Sequence, residues 1–133
     1  MYDFCKILHD VKTIAVVGIS HNPNRTSRDI AAFLQMKNYR VVGVNPATPE
    51  IEGMEVFKSL KDIPFKIDLV NVFRKSKDIA ELIPDVIDIN PDYLWLQLGI
   101  RNDEAVKPVL EIGIKCVQDY CIKVEYLNCF GWE

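Results

Sequence analysis

The stretch from Ile14 to Asp29, Ile-Ala-Val-Val-Gly-Ile-Ser-His-Asn-Pro-Asn-Arg-Thr-Ser-Arg-Asp, constrains the fold more than any other part of the chain. It opens with an apolar, β-branched run of the kind found in a strand buried on both faces. The run stops at Gly18, where a missing Cβ lets the backbone turn sharply or lets a ligand approach. A polar loop follows, and from Asp29 the pattern becomes helical. Thr26 and Ser27 are both suited to cap that helix, and Thr26 with Asp29 has the form of a capping box. Strand, glycine, polar loop and helix start together make an anion site, because free N–H groups and the helix dipole both favour negative charge. Arg25 and Arg28 add full positive charges. One glycine falls short of the G-x-G-x-x-G fingerprint, so the alternative is a plain strand–loop–helix connection that binds nothing.

The same alternation continues to the end. Asp3 to His9 has the periodicity of a short leading helix, and the first strand spans about Thr13 to Val17. The next helix buries Ile30, Ala31, Phe33 and Leu34 and ends near Asn38, a residue that tolerates the left-handed conformation. Further strands are expected at Arg40–Val44, stopped by Asn45-Pro46, and at Ile67–Phe73, Tyr93–Leu98 and Ile114–Val117. Between them, Ala47 to Phe65 is irregular, broken by Pro49, Gly53 and Pro64, with one or two helical turns at Lys58–Ile63. A helical region extends to about Asp88, where Pro84 either kinks it or begins a second short helix. Asn102 caps a helix that contains Pro108 and ends at Gly113, and Ile122 to Leu127 makes the last one. Alternating strands and helices call for right-handed crossovers and a parallel sheet covered on both faces. The expectation is an α/β, Rossmann-like five-stranded parallel sheet in a single domain, residues 1–133. Its order would be 3-2-1-4-5, with the flavodoxin-like 2-1-3-4-5 as the competitor.

Composition narrows the partners. A formal net charge of -3 argues against nucleic acid. No apolar run approaches the roughly 20 residues that span a bilayer, and the first residues lack a signal-peptide segment, so a cytoplasmic location is expected. Cys5, Cys116, Cys121 and Cys129 include no C-x-x-C pair, and His9 and His21 are the only histidines, which disfavours zinc. In a reducing cytosol all four thiols should be free, with Cys116 a small core residue.

Ligands of open parallel sheets bind beyond the carboxyl ends of the strands. The residues just past the five expected strand ends include Gly18, Ser20, Arg25 and Ser27, then Asn45 and Pro46, then Arg74, Lys75 and Lys77, then Gly99 and Arg101, and last Cys121 and Lys123. An acidic chain thus gathers its cations at one edge, as a ligand with more than one phosphate requires. NAD is disfavoured because Asn45-Pro46 stands where a carboxylate would hold the ribose. A receiver domain would need acidic residues where Gly18 and Arg74 stand. A P-loop would need Gly-Lys-Ser/Thr at the helix start.

The runs Val16-Val-Gly18-Ile-Ser20 through Pro23-x-Arg25-x-Ser27, Val44-Asn45-Pro46, Val72-Phe73-Arg74, Trp95-Leu-Gln97-Leu-Gly99-Ile and Asp119-x-Cys121 with Glu125 occur in this order. In this the chain resembles the small stand-alone CoA-binding proteins, relatives of the CoA-binding domain of the succinyl-CoA synthetase α subunit, from about Lys12 to Leu127. The resemblance implies a Rossmann-like fold holding CoA or an acyl-CoA, with Gly18, Ser20, Arg25 and Ser27 on the phosphates. Ile19, where the family often has alanine, would also lie against the cofactor. Asn45, Pro46, Val72, Phe73 and Arg74 would line the nucleotide cleft, with Gln97 and Gly99 bordering it. The phosphorylated histidine of the ligases comes from a separate domain, and neither His9 nor His21 matches it by motif. With no Ser-His-Asp set and no carboxylate pair, no residue is assigned a catalytic role and no metal site is expected. Binding without turnover is the leading function. A small NADP-linked reductase, with Arg74 or Arg25 on the 2′-phosphate, and a scaffold with a vestigial site are the alternatives. A valine at position 18 is expected to abolish binding and leave the domain folded. Cys121, at the start of the last helix and near Lys123, either packs beneath that helix or is a reactive thiol for a mixed disulfide with CoA.

Overall fold

A computed structural model describes residues 2–47 and 50–132. The chain runs α1 (Phe4–Asp10), β1 (Thr13–Val17), α2 (Thr26–Met36), β2 (Arg40–Val44), β3 (Val56–Phe57), β4 (Leu69–Val72), α3 (Ile79–Ile89), β5 (Tyr93–Leu96), α4 (Asp103–Glu111), β6 (Lys115–Val117) and α5 (Ile122–Phe130). Short 3₁₀ turns occupy Leu60–Asp62 and Ser76–Asp78. Pro49, read as one break in the irregular segment, lies outside the described residues. The α/β class and the parallel, Rossmann-like sheet are as expected. The strand count is not: the sheet has six strands in the order β3-β2-β1-β4-β5-β6, every pair parallel.

The additional strand is β3, two residues long, paired through Gly43↔Val56 and Val44↔Phe57. Two residues carry no readable period. The five strands legible in the sequence stand among themselves in the order 2-1-3-4-5, and β3 outside β2 completes the doubly wound order 3-2-1-4-5-6. Successive strand residues point to opposite faces, and both faces are apolar. Ala15, Val17, Val42, Val44, Val70, Val72, Leu94 and Leu96 meet the layer of α3 and α4. Ile14, Val16, Val41, Leu69, Tyr93 and Trp95 meet α1, α2 and α5.

Pro84 and Pro108 lie inside single continuous helices, α3 and α4, so Pro84 does not begin a second helix. Each proline removes a hydrogen bond to the residue four before it, Ala80 or Glu104. Both of those residues and both prolines are exposed, where water can take the freed carbonyl. Among the described residues no helix is long and apolar enough to cross a membrane.

The cysteines depart from expectation. Cys5 in α1 and Cys129 in α5 form a disulfide, while Cys116 and Cys121 are free. Packing of α1 against α5 brings the two Cα atoms to 5.4 Å across a sequence separation of 124, which spacing along the chain does not reveal. Cys116 is half-buried against the core as read, and burial pushes its thiol up to about 12.

Candidate functional site

The loop after β1 is built by its own polar groups. The Gly18 N–H donates to Val44 O at 2.8 Å, continuing the ladder one residue past the strand. Gly18 then turns with φ +84°, and a Cβ there would stand 2.3 Å from Phe73 O at the end of β4. The glycine is therefore required by the protein's own backbone, and the expectation that a valine would leave the domain folded is corrected. Ile19 is buried, 0% exposed, and packs over Gly43, where an added Cβ would come within 2.7 Å of its Cγ2. Its side chain faces the core, and its carbonyl accepts Asn45 Nδ2 at 2.8 Å, which ties the loops after β1 and β2 together. The Asn45 Oδ1 also accepts from Ala47 N.

Ser20, Ser27 and Arg28 set the loop's curvature. Ser27 Oγ accepts from Ser20 N at 3.0 Å, and Ser20 Oγ accepts from Asn22 N at 3.0 Å. Arg28 reaches back to donate to His21 O at 2.8 Å, so it shapes the loop rather than standing as a free charge. The helix cap differs from the capping box expected at Thr26. Arg25 holds the N-cap position of α2, no side chain caps it, and Thr26 is already helical. The helix begins one residue early: Arg25 O accepts from Arg28 N at 3.0 Å and Asp29 N at 3.2 Å, which places Thr26 inside it, and Ser27 Oγ, the other candidate, is committed to the loop. Among the described residues the first N–H groups of this 11-residue helix have no side-chain cap, and the exposed Arg25 guanidinium makes no ion pair.

On the α3 side of the same edge a cleft of about 170 Å³ opens between β1, β2 and α3. Pro46 and Arg74, both read from the sequence, line it together with Lys58, Ser59, Glu81 and Asp85. Larger hollows lie elsewhere, one of about 390 Å³ at the amino edge, where the carboxylates of Asp10 and Asp92 outnumber the Lys115 ammonium, whereas Lys58 and Arg74 balance Glu81 and Asp85 in the cleft.

Residues 12–127 match the model of the CoA binding domain family. The chain belongs to that family. It is 37% identical over 121 residues to the uncharacterized Bacillus subtilis protein YneT, covering 91% of this chain and 90% of that one. The α subunit of acetate–CoA ligase (ADP-forming) II from Pyrococcus furiosus is 30% identical over 129 residues, covering 89% of this chain but only 26% of the ligase subunit. A solved Thermus thermophilus structure superposes with a TM-score of 0.90 at 36% identity, covering 94% of this chain and 95% of its own.

Within this CoA binding domain, Gly18, Ser20, Arg25, Ser27, Asn45, Pro46, Phe73 and Arg74 cluster around the ends of β1, β2 and β4. Val72 does not join them: it is fully buried in the α3-side core and supports the cleft from below. Gln97 is 4% exposed, and its Oε1 accepts from Asn71 Nδ2 at 3.2 Å and Ile122 N at 3.3 Å, so it braces α5. Gly99 is exposed at the end of β5, and its N–H donates to Asp119 Oδ1 at 2.6 Å. Cys121 is the N-cap residue of α5, half-buried, and the nearby Lys123 ammonium is turned to Asp29 Oδ2 at 3.2 Å and to the Phe33 ring. Sequence reasoning missed Lys58, Ser59, Glu81 and Asp85. Lys58 had a signal, since it follows the carboxyl end of β3, but the strand itself was too short to see.

Proposed function

We propose that this protein binds CoA or an acyl-CoA at the carboxyl edge of β1 to β4 and does not turn it over. The observation that carries the reading is the N-terminus of α2, without a side-chain cap and beside the Arg25 guanidinium, which forms no ion pair among the described residues, in a chain of the CoA binding domain family. The diphosphate would rest on the Ser20–Ser27 loop and the first N–H groups of α2, with Arg25 alongside. The nucleoside would enter the cleft of Pro46, Lys58 and Arg74, where either cation can meet a phosphate on the ribose. The relative named for joining acetate to CoA supports CoA over a nicotinamide cofactor. Ser20 and Ser27 accept backbone hydrogen bonds and contact no base among the described residues, which fits binding rather than nucleophilic catalysis.

Calorimetric titration with CoA, acetyl-CoA, NADP, NAD and ATP in parallel tests this reading. CoA or acetyl-CoA should bind tightest. Tighter binding of NADP would overturn it in favour of a reductase, and no binding by any of them would leave a scaffold with a vestigial site.

A further inference from the structure

The Cys5–Cys129 bond lies on the surface. Cys5 is exposed, Cys129 is half-buried, and both border an open hollow of about 610 Å³ with Tyr2, Asp3, Phe4, Glu125 and Asn128. A sulfur that faces solvent in a hollow of this size can be reached by a small thiol without unfolding the sheet. The bond joins the first turn of α1 to the last turn of α5, two short helices whose inner ends are held independently. Ile7 and Leu8 are buried, and Ile122 is tied to Gln97. In the first turn of α1, Phe4 also packs against buried Trp95, ring centroids 5.4 Å apart, and against Tyr120 at 4.8 Å, so breaking the bond loosens the outer turns without detaching them from the sheet. Asp3 and Glu125 place two carboxylates on the walls of the hollow, and among the described residues no cation lines it.

From this geometry we propose that the Cys5–Cys129 disulfide is a thiol-exchange site, opened in the folded protein by small neutral or cationic thiols in preference to anionic ones. The incoming thiolate bonds to Cys5 Sγ, on the more exposed of the two residues, as the Cys5–Cys129 bond breaks. The electron pair leaves on Cys129, which takes a proton from water. A dithiol completes the reaction when its second thiolate attacks the mixed disulfide, releasing Cys5 as a thiol; the protein gains two electrons and the dithiol is oxidised to its own disulfide. Anionic thiols meet the field of Asp3 and Glu125. In water-like dielectric a carboxylate about 6 Å from the approaching reagent slows one that carries an additional negative charge about threefold, and speeds one with an additional positive charge by as much.

The test uses the full chain, mildly oxidised, without denaturant. Cysteamine, 2-mercaptoethanol and glutathione are compared at equal thiolate concentration by intact mass and peptide mapping, with hydrogen exchange followed after reduction by dithiothreitol. The expected rates fall from cysteamine to 2-mercaptoethanol to glutathione. The first adduct maps to Cys5, and Glu125→Gln and added salt both narrow the spread. Amide protection should drop in the outer turns of α1 and α5 and stay unchanged in β1 and β4. Failure to form the bridge on oxidation, reduction only in denaturant, an adduct first on Cys129, or equal rates for all three thiols would each overturn the proposal. None of these readouts depends on CoA binding.

Discussion

The two ends of the sheet are made from the same strands and finished differently. At the amino edge the protein supplies its own partners. Asp68 Oδ2 accepts from Lys12 N at 2.8 Å and Thr13 N at 3.2 Å, and Asp68 N donates to Thr13 Oγ1. Arg40 meets Glu55 at 3.4 Å and lies over the Phe65 ring, and Lys66 meets Asp92 at 3.4 Å. At the carboxyl edge Arg101 pairs with Asp103 and Lys123 with Asp29, but Arg25, Lys58, Arg74, Lys75 and Lys77 form no ion pair among the described residues. Glu81 and Asp85 share the cleft with Lys58 and Arg74 yet pair with neither. Where charges are matched internally the edge serves stability. Where they are left over it can serve a ligand, and net charge alone, at -3, conceals that division.

Substitutions can separate the two ends. The largest effect is expected from Gly18→Val, which forces a Cβ against Phe73 O in a left-handed backbone and should destabilise the fold by about 2–5 kcal/mol. Denaturant unfolding measures it, and native stability in this variant would return Gly18 to the role of a phosphate gap. Asp68→Ala removes the acceptor of two backbone amides and should reduce stability by about 2–3 kcal/mol without changing CoA affinity. Arg74→Ala should do the reverse: CoA affinity weaker by about 1.5–3 kcal/mol, less at high salt, with stability within about 0.5 kcal/mol of wild type. A loss identical for dephospho-CoA would remove Arg74 from the ribose phosphate. The smallest effect belongs to neither edge. Burial holds the Cys116 thiol at about 12, above its ordinary 9.0, so the folded state keeps a proton that the unfolded chain loses. Stability is therefore full below about pH 9 and declines as pH rises toward 12. Tyr39, also raised by burial, adds to the same alkaline limb. Cys116→Ala should flatten the limb without abolishing it, as thermal melts across that range would record.

Much of this division could be read before the structure. β1 and β2 have the bounds expected from β-branched runs ended by Gly18 and Asn45-Pro46. The carboxyl-end rule then collected Arg25 and Arg74 without any knowledge of side-chain positions. What escaped has physical causes. Val56–Phe57 is too short for a period, so Lys58 was not recognised as a strand-end residue. Thr26 lost the capping role because Arg25 O already takes the first helical bonds, and Ser27, the other candidate, bonds to Ser20 across the loop, a contact between residues seven apart that no propensity encodes. Gly18 looked like space for a ligand because the backbone it touches, Phe73, is distant in sequence. The disulfide depends on two helices from opposite ends of the chain meeting, which is a property of the fold alone.

The central claim is that the carboxyl edge, with its unmatched cations, is where CoA binds. Titrating CoA into the isotope-labelled chain and following backbone amide shifts tests it most directly. The account predicts progressive shifts at Gly18 to Ser27, Asn45, Lys58 and Arg74, with Lys12, Thr13 and Asp68 at the opposite edge unmoved. Shifts concentrated at Lys12, Thr13 and Asp68, or saturable binding that leaves Gly18 to Ser27 unchanged, would contradict it.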